Sequence, residues 1–192
     1  MSFDDLREYL EDFAWFWPGV LVSLALGIVF GRWLGRALRV PRAVATLLIF
    51  GAGLIASATL TPSREALTQG AVGSGTCEIA RIGPASIGEL LSFGDPTYNV
   101  VLFVPLGLAI GLIPASRRMA VLVVAAVILP FAIETIQLLA TGIGRACQTS
   151  DVADNLTGLV IGLVIGVAAR RLTRSASPID LATRSDLERG DP

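Results

Sequence analysis

Blocks of apolar residues long enough to cross a bilayer, separated by connections of alternating arginine content, constrain this chain more than any other feature. The blocks fall at about 15–34, 43–60, 98–114, 119–140 and 152–170. A spanning helix needs about 20 mostly apolar residues. Inside a bilayer no water is available to bond exposed peptide groups, so a segment of this length spans as a helix. The expected fold is therefore all-α, a polytopic transmembrane helix bundle of about five spans. The third block is short unless residues just before Tyr98 contribute. Composition agrees with this class: only 16% of the 192 residues are charged, against about 25% in an average soluble domain.

Every basic residue is arginine; the chain has neither lysine nor histidine. The usual zinc sites and the usual general base are therefore missing. Arg32, Arg36, Arg39 and Arg42 crowd the first connection, Arg117 and Arg118 the third, and Arg170, Arg171 and Arg174 follow the last span. The alternate connections are poorer, with Arg64 and Arg81 in 61–97 and Arg145 in 141–151. Because arginine-rich connections stay in the cytoplasm, the N-terminus is expected outside and the C-terminus in the cytoplasm. Arginines that flank spans do not form a nucleic-acid-binding patch.

The ends of the chain read differently from its middle. Residues 1–14 are acidic, whereas the start of a secretory signal is basic, so no signal peptide is expected. Phe3, Leu6, Leu10 and Phe13 recur at helical spacing, which permits an amphipathic helix on the membrane; a frayed acidic tail is the alternative. Residues 15–170 form the bundle, and 171–192 read as a polar cytoplasmic tail. Trp15, Trp17 and Trp33 lie near the ends of the first span, as interfacial aromatics do. The 61–97 connection is long enough to expect order in part of it. Its stretch 84–93 reads as a short interfacial helix opened by Pro84.

Glycine recurs every fourth residue at Gly27, Gly31 and Gly35, at Gly107 and Gly111, and at Gly158, Gly162 and Gly166. Such stripes let helix backbones approach closely. Cys77 and Cys147 both fall in connections expected outside. An oxidising exterior permits a disulfide between them, which would tie the long loop to the Arg145 loop; two unpaired small residues are the alternative.

The polar groups of 130–158 stand out against this background. Glu134 and Gln137 lie inside the fourth block, Arg145 in the next loop, and Asp151, Asp154 and Asn155 open the fifth. Asn99 opens the third block at the same level. A charge at the centre of a spanning helix costs roughly 2.5–3.5 kcal/mol even on lenient scales, so such groups usually have a partner or a task. Positions 151, 154, 155, 158, 162 and 166 lie on roughly one helical face, which turns the polar cluster into the bundle.

Three chemistries fit these residues. Glu134 and Asp151 suit acid–base work. Carboxylates with the Asn99 or Asn155 carbonyl suit a divalent cation such as Mg²⁺ or Ca²⁺. Arg145, with amide donors from Asn or Gln137, suits a phosphate or carboxylate on a lipid or cell-wall precursor. A network that only ties helix ends together is the structural alternative, and Asp151 by itself reads as a helix cap.

Four motifs in order carry a family resemblance. They are Leu-Thr-Pro at 60–62, Asn-Val-Val-Leu-Phe-Val-Pro-Leu-Gly at 99–107, Glu134 and Gln137 as E-x-x-Q, and G-R-x(5)-D-x-x-x-N-x-x-G from Gly144 to Gly158. Over about 43–170 the chain resembles the VanZ-like family of small bacterial membrane proteins, named after a protein associated with teicoplanin resistance. Asn99, Pro105, Glu134, Gln137, Arg145, Asp151 and Asn155 fall on its motif positions. Gln148 stands where members often carry an acid, and Asp154 where an apolar residue is expected. The resemblance implies a bacterial cell membrane protein with a role in envelope homeostasis or antibiotic resistance. The expected function is an outward-facing pocket for an anionic envelope lipid, cell-wall precursor or lipophilic glycopeptide. An intramembrane enzyme acting on an envelope lipid through Glu134 and Asp151 is the first alternative, and an accessory subunit the second.

Overall fold

Each apolar block folds as one helix. The structure, a computed structural model, describes residues 15–79, 81–92 and 94–175. The spans are α1 (Phe16–Leu38), α2 (Arg42–Thr59), α5 (Asp95–Leu112), α6 (Arg117–Leu139) and α7 (Thr149–Ser175). Between α2 and α5 lie two short helices, α3 (Arg64–Gln69) and α4 (Ile87–Leu91), and a two-residue strand, β1 (Cys77–Glu78). Its partner β2 (Cys147–Gln148) lies between α6 and α7. All five long helices are apolar enough to cross a membrane. Large apolar side chains such as Leu21, Val29, Val124, Phe131 and Val164 point outward, as the lipid-facing surface of a bundle requires. The all-α polytopic fold is as expected.

The helix ends follow local chemistry more than hydropathy. α1 runs past the expected 34, because Arg32 and Arg36 continue the helix while their long side chains leave it; Arg36 Nε donates to the Arg32 carbonyl at 3.3 Å. It stops at Arg39, which takes the left-handed conformation at φ 60°, two residues before Pro41. α5 starts at Asp95, with Pro96 in its first turn, so Asn99 lies one turn inside the helix instead of opening it. Ser116 caps α6 by accepting from the Met119 amide at 3.3 Å. α7 extends to Ser175, beyond the expected boundary at 170; Arg170 at its far end donates to the Ile113 carbonyl. The short helix of the long loop is opened by Ser86, not by Pro84. Ser86 and Glu89 form a reciprocal capping box, and the helix spans only Ile87–Leu91. Residues 1–14, with the expected amphipathic segment, and 176–192, with most of the expected tail, lie outside the described residues.

Glycine sets how the helices pair. α5 and α7 lie backbone to backbone. A Cβ on Gly158 would strike the Val100 carbonyl oxygen, one on Gly162 that of Val104, and one on Gly107 that of Leu159. In α1, Gly27 and Gly31 face Thr46 of α2, whose hydroxyl donates to the Gly27 carbonyl at 2.9 Å. α2 joins these two pairs through Gly51, which sits against the backbone of Leu106. Around that junction Leu48, Ile55, Phe103, Ile110, Ile133 and Leu159 form the buried core.

The bundle has two chemically distinct ends. One carries Arg32, Arg36, Arg39, Arg42, Arg117, Arg118, Arg170 and Arg171. The other carries both ordered loops and the Cys77–Cys147 disulfide, which closes a separation of 70 residues with the two Cα atoms 4.6 Å apart. β1 and β2 pair in parallel there, Cys77 with Cys147 and Glu78 with Gln148. The long loop is further fastened by hydrogen bonds from Ser63 N to the Ile143 carbonyl at 2.9 Å and from Gly73 N to the Thr141 carbonyl at 2.7 Å.

Candidate functional site

A cavity of about 540 Å³ opens at the looped end, between α1, α2, α5, α6 and α7. The apolar part of its lining comprises Phe16, Leu54, Ala58, Val101, Leu102 and Pro105. The remaining lining is mostly polar, and its Asp95, Tyr98 and Asn99 lie on the same helix as Val101, Leu102 and Pro105. Asp95, Tyr98 and Asn99 come from the first turns of α5, Glu134 and Gln137 from the last turns of α6, and Asp151 and Asn155 from the first turns of α7. Arg145 and Gln148 complete it from the loop between α6 and α7. Pro105 both lines the cavity and interrupts the amide ladder of α5.

Backbone groups of the loops orient these side chains. Glu134 Oε2 accepts from the Gln148 amide at 2.7 Å. Gln148 belongs to the strand anchored by Cys147, so the disulfide and the Glu134 carboxylate share one short piece of backbone. Gln137 Nε2 donates to the Thr59 carbonyl at 3.0 Å, at the end of α2. Arg145 Nε donates to the Thr61 carbonyl at 3.3 Å. The Leu-Thr-Pro motif at 60–62 thus acts as a backbone clamp for Arg145.

Two amide oxygens are left over. Gln137 is 7% exposed and Asn155 1% exposed, and among the described residues neither Gln137 Oε1 nor Asn155 Oδ1 has a hydrogen-bond donor. The bond to Thr59 fixes which end of the Gln137 amide is the acceptor. A buried acceptor without a donor costs about 1–3 kcal/mol.

Of the seven residues expected at the site, six line one cavity: Asn99, Glu134, Gln137, Arg145, Asp151 and Asn155. Asp154 does not. Its carboxylate is 1% exposed, pairs with Arg81 at 2.7 Å, and accepts from the Ala85 amide at 3.0 Å. Successive helical residues point about 100° apart, so Asn155 faces the cavity while Asp154 faces the long loop. Arg81 also donates to the Gly83 carbonyl at 2.5 Å, and this pair anchors the loop to α7. Thr149, whose hydroxyl donates to the Arg81 carbonyl at 3.3 Å, reinforces the anchor. The site residues that the motifs did not indicate include Asp95, Tyr98, Phe16, Leu54, Ala58 and Thr59. Asp95 had a signal, the Asp-Pro pair that opens α5. Phe16 had none, because it reaches the cavity only through packing.

Among the described residues no three or more His, Cys, Asp or Glu side chains converge as a metal-ligand set. Asp95, Glu134 and Asp151 line the same cavity without forming one.

Residues 59–170 match the model of the VanZ/LLP1 family. The chain belongs to the VanZ/LLP1 family. The VanZ/LLP1 stretch is narrower than the expected 43–170 and begins at the last residue of α2. It contains the whole polar lining of the cavity, whereas Phe16, Leu54 and Ala58 of the apolar lining lie before it. Searches of curated proteins and of solved structures found no match. Family and fold together make this a multi-pass membrane protein of the VanZ/LLP1 type.

Proposed function

We propose that the cavity binds the head group of an anionic envelope amphiphile, a membrane lipid, a cell-wall precursor or a lipophilic glycopeptide. The protein would thereby contribute to envelope homeostasis or antibiotic resistance. The observation that carries this reading is that one cavity combines apolar side chains with polar groups that include Arg145. An amphiphile combines the same two chemistries. A guanidinium is suited to phosphate or carboxylate, which it meets with paired N–H donors. The volume is within the range of small-molecule sites, about 300–1,000 Å³.

Two independent features support an extracytoplasmic position for the cavity. The arginine-rich end is the opposite one, as the positive-inside rule requires. The disulfide is at the cavity end, and disulfides persist in oxidising compartments.

An enzymatic reading has one supporting observation: Glu134 and Asp151 face the same cavity. They would then serve as acid and base on a bound envelope lipid. Binding is the stronger reading, because one Glu134 oxygen is already held by the Gln148 amide. Lipid and cell-wall-precursor mass spectrometry separates the two, comparing a deletion strain with strains carrying wild type, Arg145→Ala or Glu134→Gln. Binding predicts that Arg145→Ala behaves as the deletion and that no lipid is converted. A lipid species that accumulates in both the deletion and Glu134→Gln strains would favour the enzyme. Unchanged drug susceptibility and envelope composition on deletion would remove both.

A further inference from the structure

The cavity lining carries an excess of hydrogen-bond acceptors and negative charge. Asp95, Glu134 and Asp151 contribute three carboxylates, against the single guanidinium of Arg145 among the described lining residues. Gln137 Oε1 and Asn155 Oδ1 add two buried acceptors that no donor among the described residues reaches. The Gln137 oxygen is fixed by the bond of its own nitrogen to Thr59, so rotation of the amide would break one bond to make another. A purely anionic head group would meet Arg145 and leave the Gln137 and Asn155 oxygens without a donor. Glu134 is buried, Asp151 half-buried and Asp95 exposed; buried acceptors call for donors, and a buried carboxylate for positive charge.

From this we infer that the preferred ligand is a zwitterionic aminophospholipid, with its phosphate at Arg145 and its primary ammonium among Glu134, Asp151 and the two amide oxygens. The inference rests on the proposed binding role of the cavity and narrows its ligand. An ammonium brings three N–H donors and one positive charge, which is what the lining lacks. A bound divalent cation would also supply charge, but the three carboxylates do not converge on one point. The apolar side chains of Leu54, Val101 and Leu102 in the lining then receive the first carbons of the acyl chains.

The test uses the full chain in detergent, with native mass spectrometry titrations of short-chain phosphatidylethanolamine, phosphatidylcholine and phosphatidylglycerol in the presence of EDTA. Phosphatidylethanolamine is expected to bind about tenfold tighter than either competitor, the scale of one charge-assisted hydrogen bond. Phosphatidylcholine keeps the positive charge but has no N–H, so it isolates the need for donors. Glu134→Gln and Asp151→Asn should bring the preference close to parity, and Arg145→Ala should weaken both phosphatidylethanolamine and phosphatidylglycerol. Asp151→Asn provides the answer if Glu134→Gln fails to fold, since Glu134 also holds the Gln148 amide. Phosphatidylglycerol binding as tightly as phosphatidylethanolamine would overturn the inference while leaving an anion-binding cavity. So would tight phosphatidylglycerol binding that appears only when Mg²⁺ replaces EDTA, or a preference untouched by both carboxylate variants. Absence of saturable binding by any lipid, or binding indifferent to Arg145→Ala, would overturn the inference and the cavity's proposed role together.

Discussion

Asp151 and Asp154 lie one turn apart at the start of α7 and have different surroundings. Asp151 lines the cavity, whereas Asp154 is enclosed by Arg81 and the Ala85 amide. Asp154 is buried but Arg81 is 24% exposed, so the Arg81 charge stays partly solvated when the carboxylate is removed. Asp154→Asn is therefore expected to lower stability by about 1–3 kcal/mol. Arg81→Met on the same background should recover part of the loss, since both charges are then gone; thermal unfolding in detergent measures it. Lipid binding by the folded fraction should change little, because Asp154 does not line the cavity. A site-directed loss of binding with unchanged stability would instead put Asp154 among the ligand-contacting groups.

Among the helices, α5 and α7 form the closest pair, and their glycines determine how close. A methyl group on Gly162 has no room, because it would meet the carbonyl oxygen of Val104 and the backbone of Leu108. Gly162→Ala should cost about 1–3 kcal/mol by forcing the helices apart. Gly142, in the turn after α6, has nothing within 4 Å of a built Cβ. Gly142→Ala should stay within about 0.5 kcal/mol of wild type. Loss of folded yield for both, or for neither, would contradict the close packing described. The disulfide acts on the connecting loops. In the chain-entropy model, opening a closed loop of 70 residues removes about 4 kcal/mol of stability. Cys77→Ser should lower the unfolding temperature and slow the protein on a non-reducing gel relative to wild type. It should also loosen Glu134, whose carboxylate is held by the residue next to Cys147.

At the scale of the whole molecule, the division of charge between the two ends predicts topology. A reporter inserted near residue 75 should be active only outside the cytoplasm, and one near residue 115 only within it. A reversed pattern would put the cavity on the cytoplasmic face and remove the oxidising environment that its disulfide needs.

Much of this architecture was legible in the chain. The number of spans, the glycine stripes and the level of Glu134, Gln137 and Asn155 follow from hydropathy and the 3.6-residue period, which are local properties. The Ser86–Glu89 capping box was also legible as S-x-x-E, yet Pro84 is the more conspicuous start signal and lies two residues too early. The start of α5 at Asp95 was obscured for a different reason, because hydropathy falls before the helix ends.

What the sequence by itself determined is the membrane class, the number of spans, the alternation of arginine and the set of polar residues brought to one level. These depend on the free energy of placing each residue in lipid or water, and that is summed along the chain. The tertiary structure alone decided that Cys77 meets Cys147, that Asp154 belongs to Arg81, and that Phe16 and Asp95 complete the cavity. Those outcomes depend on the rotation of each helix about its axis and on the path of the 61–94 loop. A difference of one residue, between Asp154 and Asn155, turns a side chain by about 100° and separates a loop anchor from the cavity lining.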